Sequence, residues 1–186
     1  MMIQGVRADT GSREGKWVGL IIMFILSFTV VAIPFHQAES HREVILDHQV
    51  LVTDVEQENL AMLAELRLAH EEIRDLRVDL DGEWPSVGFL KDQWVAPFVE
   101  DQSWKRKGAH TWLLDERGYY FSIPSELGFA DSFILNANNV SPEIWIFFDG
   151  IANQPTQFDE NTLKLAGWKR VVNESEIAEQ HNISSH

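Results

Sequence analysis

The chain has 186 residues, enough for one globular core with an appendage and too few for two full-sized domains. Fifteen Lys and Arg stand against 29 Asp and Glu, a formal charge of -14, which argues against nucleic acid or an anionic lipid surface as the main partner. With no cysteine there is no disulfide, thiolate zinc site or cysteine nucleophile to consider.

The first element in chain order is the nineteen-residue run from Trp17 to Phe35, which carries no charge. At about 1.5 Å per residue it matches a ~30 Å hydrocarbon core and predicts a transmembrane helix over 17–35. The leader, 1–16, holds Arg7, Arg13 and Lys16 against Asp9 and Glu14, whereas the rest of the chain is strongly acidic. The positive-inside rule then keeps the leader cytoplasmic and places the remainder outside, giving a single-pass protein of a bacterial inner membrane with a periplasmic C-terminal domain. A cleaved signal peptide fits less well, because the nearest candidate site, His36-Gln37-Ala38, puts a bulky His where a small residue belongs.

Residues 36–82 predict a helical, coiled-coil-like stalk. His41, Val44, His48, Leu51, Val55, Asn59, Met62, Leu66, Ala69, Ile73, Leu76 and Leu80 follow steps of three and four, with one stutter near Val55. Such a seam pairs two copies into a homodimer, or else packs as an amphipathic helix against the chain's own C-terminal domain. Asn59 on the seam suits a register-setting polar layer.

Gly82 ends the helix, and residues 83–172 carry six of the seven Trp. A short helix enters through Pro85, and the period then becomes two: His110 to Asp115 and Tyr119 to Ile123 flank a hairpin turn, followed by Ser132 to Ala137 and Glu143 to Phe148. Asp159 to Ala166 reads as a helix stopped by Gly167, Trp168 to Val172 as a last strand, and 173–186 as a flexible polar tail. The fold class is therefore α+β, with a small antiparallel-sheet domain and short helices behind a membrane helix and stalk.

The sequence holds no nucleophile elbow, Walker loop, dinucleotide fingerprint or HExxH. Ser103, His110 and Asp115 could be assembled into a triad only by the chance that any acidic chain offers, so the chain reads as a non-enzyme. Histidines and carboxylates are the strong transition-metal ligands that remain. His41 and His48 lie one heptad apart beside Glu43 and Asp47, a set that would bind Zn²⁺ if a parallel dimer brought four imidazoles together. His110 is the alternative metal centre, more rigid on a strand. The basic triplet Lys105-Arg106-Lys107 is too isolated in this acidic chain to make a nucleic-acid surface.

The acidic helix through Leu66-Arg67-Leu68-Ala69-His70, then Trp84-Pro85-Ser86, Trp94-Val95-Ala96-Pro97-Phe98, the Trp104 to Trp112 stretch and Glu143-Ile144-Trp145 together resemble a bacterial family of unknown function. Its members are small membrane-anchored proteins associated with gene clusters of zinc-type metal-uptake ABC transporters. The resemblance spans about Leu60 to Val172 and carries no catalytic or ligand residues across. It implies an accessory protein of divalent-metal uptake, with the transporter or its binding protein as partner. The alternative is a coiled-coil scaffold of the cell envelope with no metal role.

Overall fold

A computed structural model describes residues 12–36, 45–148 and 151–177. The chain divides into two compact units, Met1–Glu43 and Val44–His186. The first contains α1 (Ser12–His36). Its described side chains, residues 16–28, are exposed.

The second unit is built on one six-stranded mixed sheet, ordered β1-β6-β5-β4-β3-β2. The strands are β1 (Gln49–Leu51), β2 (Thr111–Asp115), β3 (Tyr119–Ile123), β4 (Ser132–Asn136), β5 (Glu143–Phe147) and β6 (Lys169–Val172). β2 to β6 run antiparallel in sequence order, and β1 adds to β6 in parallel. The long helix α2 (Gln57–Asp79) is joined by α3 (Val87–Asp92), α4 (Gln102–Arg106) and α5 (Glu160–Leu165).

Strand alternation separates two cores. Tyr120, Leu135, Ile144 and Val171 are cross-strand neighbours and face α2, whose Met62, Leu63, Leu66, Ala69 and Ile73 complete that layer. Phe121, Ile134 and Trp145 line the opposite face, covered by Phe158, Leu163 and Trp168 from the segment carrying α5. Every residue of β4 is buried, as a central strand covered on both faces requires. The short helices start where side chains cap them: Ser86 Oγ, Asp101 and Asp159 accept from the N–H groups of Phe89, Trp104 and Thr162. Gly118 turns the β2–β3 hairpin at φ +85 with the Trp84 ring against it, so a Cβ there would lie 2.3 Å from ring carbon.

Several expectations are corrected. Among the described residues no helix is long and apolar enough to cross a membrane, so the expected transmembrane helix is not found. Among the described residues there is no long coiled-coil stalk either. Residues 47 and 48 form a turn, Gln49–Leu51 is a strand, Val52–Asp54 is a 3₁₀ turn, and α2 begins only at Gln57. The Val50-Leu51-Val52-Thr53 run is rich in β-branched residues, and the open edge of β6 offers it a hydrogen-bonding partner. The apolar row of α2 packs on the chain's own sheet, the second of the two packings expected for such a stripe. The sheet itself is mixed rather than antiparallel, again because β1 joins β6 in parallel. Asn59 is not a coiled-coil layer: its side chain donates to Asp131 Oδ2 at 2.7 Å and accepts from the Asp131 N–H at 2.8 Å, clamping α2 to the entry of β4.

Candidate functional site

Among the described residues the candidate metal ligands do not come together. His41 and Glu43 lie outside the described residues. His48 stands in the turn before β1, stacked on Trp145, with Nε2 3.3 Å from Glu160 Oε1. Burial pushes its pKa below the ordinary imidazole value, and the nearby Lys164 adds to that. Asp47 is exposed; its carbonyl accepts from Lys169 Nζ, and its carboxylate is not in the His48–Glu160 pair. Among the described residues no group of three or more His, Asp and Glu could hold a metal ion.

His110 is 2% exposed, and both ring nitrogens are engaged. Nε2 meets the carbonyls of Lys107 at 2.9 Å and Ala130 at 3.1 Å, which can only accept, so Nε2 carries the proton. Nδ1 is then the acceptor for the Ser122 hydroxyl at 3.1 Å, and Ser122 Oγ in turn accepts from the Phe133 N–H at 3.0 Å. Burial holds this imidazole down at about 4, so it is neutral at pH 7. A closed set of this kind ties α4, β2, β3 and the approach to β4 together. Lys107, from the basic triplet, is likewise buried and pairs with Glu65 of α2.

A different arrangement occupies the opposite, solvent-facing edge of α2. Arg67 Nη2 donates to Asn173 Oδ1 at 3.0 Å, and Arg74 Nη1 donates to the Asn139 carbonyl at 2.6 Å, which His70 Nε2 also meets at 3.0 Å. The 139–142 loop is held for them by Glu143, whose carboxylate accepts from Asn136, Asn139 and Trp145. Among the described residues neither guanidinium has a carboxylate within 4.0 Å. Amide oxygens orient these cations without neutralising them. Below Arg67 opens a cavity of about 290 Å³, walled by Glu71, Asn173 and Glu176 and floored by Pro142, Ile144 and Val171. Sequence reasoning missed it because Asn173 and Glu176 look like part of a polar tail, and no local pattern brings them to a helix more than a hundred residues earlier.

Trp94 is the second missed feature. It follows α3 in the left-handed region, φ +60, and is 80% exposed. The Trp94 N–H bonds to the Lys91 carbonyl at 3.1 Å and the Val95 N–H to the Leu90 carbonyl at 3.0 Å, a helix-ending motif whose left-handed position favours glycine. A tryptophan there costs about 1 kcal/mol of backbone strain and exposes a large apolar surface as well. The burial of Leu90 and Val95, not Trp94, anchors the turn.

Fold and site together define a domain of α+β architecture built on a two-faced mixed sheet. The chain belongs to a family of unknown function (DUF6162), whose model matches residues 49–176. That match begins at β1 and ends in the turn after β6, the same stretch that folds around the sheet. Comparison with curated proteins and with solved structures finds no match.

Proposed function

We propose that the protein is a non-catalytic, membrane-associated accessory factor of divalent-metal uptake that works by docking a partner on the surface around Trp94. The process follows from the likeness to proteins encoded beside zinc-type ABC transporters, and the partner is the transporter or its binding protein. The mode of action rests on Trp94. A side chain that is both strained and exposed lowers stability, and large exposed aromatics are the usual anchors of protein interfaces. The exposed apolar side chains of α1, such as Trp17, Ile21, Phe24 and Phe28, support association with a membrane. The structural use of His110, Lys107 and Glu65 supports a non-catalytic role.

The test separates folding from docking. Trp94→Gly should fold with stability unchanged or raised by about 1 kcal/mol, since glycine relaxes the left-handed turn. In cells lacking the gene, that variant should fail to restore growth under zinc chelation where the wild-type chain succeeds. Full restoration by Trp94→Gly would remove the docking surface; no growth defect on deletion would leave an envelope scaffold with no metal role.

A second reading, direct metal binding, is favoured by the His48–Glu160 pair, a neutral imidazole next to a carboxylate. Calorimetry with Zn²⁺ on the full chain and on Glu160→Gln tests it. Heat lost in the variant supports binding at this pair.

A further inference from the structure

We infer that the cavity beneath Arg67 is a binding site for a small zwitterion, specifically a free α-amino acid with an apolar side chain. This goes beyond the docking reading and does not depend on it.

The argument starts from charge. In a chain with almost twice as many acids as bases, an arginine on a helix surface readily finds a carboxylate. Arg67 instead is half-buried, and its hydrogen bond goes to a neutral amide oxygen, Asn173 Oδ1. A guanidinium has five N–H donors in a fixed fork, so most of its capacity for a bidentate carboxylate remains. Asn173 does a second thing: its Nδ2 donates to Glu176 Oε1 at 3.4 Å. The same amide thus holds a cation and an anion apart on one wall of the cavity. Glu71, one turn along α2 from Arg67, adds a second carboxylate to the lining.

A ligand with one charge would meet repulsion here. A simple carboxylate suits Arg67 but faces Glu71 and Glu176; a simple amine suits the acids but faces Arg67. A molecule carrying both groups on one carbon satisfies both. The floor of Pro142, Ile144 and Val171 is apolar and takes the side chain. A volume of about 290 Å³ equals roughly ten water volumes, which accommodates a free amino acid of about the size of leucine.

Calorimetry on the full chain with L-leucine, L-valine and L-methionine tests this, with leucinamide and 4-methylpentanoate as probes that each lack one charge. At least one of the three amino acids should bind, with each single-charge analogue at least tenfold weaker on the wild-type chain. Arg67→Gln should weaken the same amino acid at least tenfold, and Trp94→Gly should leave it unchanged, which keeps this result separate from the docking test. Absence of heat with all three amino acids would overturn the proposal. So would leucinamide or 4-methylpentanoate binding as well as leucine. The analogue arm uses only the wild-type chain, so it decides even if Arg67→Gln fails to fold.

Discussion

The two polar regions on either side of α2 solve opposite problems. Around His110 both ring nitrogens and Ser122 Oγ are bonded and the buried Lys107 meets Glu65, so among these groups only the Trp112 indole N–H beside His110 is left without a partner. Along the outer edge, Arg67 and Arg74 are oriented by amide oxygens and keep their charge unpaired among the described residues. The lesson concerns satisfaction more than residue type. Histidine is the more usual candidate for chemistry, yet here it is structural, and the arginines are the groups left available.

The largest expected effect breaks the first region. Glu65→Ala strands the Lys107 ammonium in a site where its side chain is 8% exposed, and removing one partner of such a pair costs about 3–5 kcal/mol. Chemical denaturation of the full chain should show the midpoint falling accordingly. Replacing both partners, as in Glu65→Leu/Lys107→Met, should recover most of the loss.

Acid should act next. His110 titrates near 6.5 when unfolded and at about 4 when folded, so the unfolded chain takes up the proton first. The imidazole's contribution is intact above about pH 6.5 and is lost as pH falls toward 4, a total of about 3 kcal/mol at 1.36 kcal/mol per unit. His48 and His70, also lowered by burial, add in the same direction. Thermal melts between pH 7 and 4.5 should show this slope, and His110→Gln should be less stable at pH 7 but flatter across that range. An equally steep acid limb in the variant would mean that other groups govern it.

The smallest effect sharpens the comparison from the other side. Arg67→Gln and Arg74→Gln each remove a partly exposed charge whose acceptor can turn to water, so stability should change by less than about 1 kcal/mol. A loss as large as that of Glu65→Ala would mean that the outer edge is a structural region too.

Much of the sheet was legible because its signals are local. The alternation in β2 to β5, the hairpin turn at Gly118 and the stop at Gly167 are written within a few residues of where they act. The apolar row of α2 was legible in the same way, as Met62, Leu66, Ala69 and Ile73 are all buried. What covers that row was not. A stripe at steps of three and four presents the same side chains to a second helix or to the chain's own sheet, and periodicity cannot distinguish them.

Sequence alone determined the acidic charge, the absence of thiol chemistry, the places of strands β2 to β5 along the chain and the buried face of α2. Tertiary structure decided the rest, because each remaining feature depends on pairs far apart in the chain. β1 becomes a strand through Val171, 121 positions after Val50. Lys107 leaves the basic triplet for Glu65, and Asn59 becomes a clamp through Asp131. Arg67 faces a cavity only because Asn173 returns beside α2, 106 residues later. Local propensity acts over a turn or two, whereas closing a loop of a hundred residues costs only slowly growing entropy, so such contacts are set by the whole fold's packing and leave no local mark.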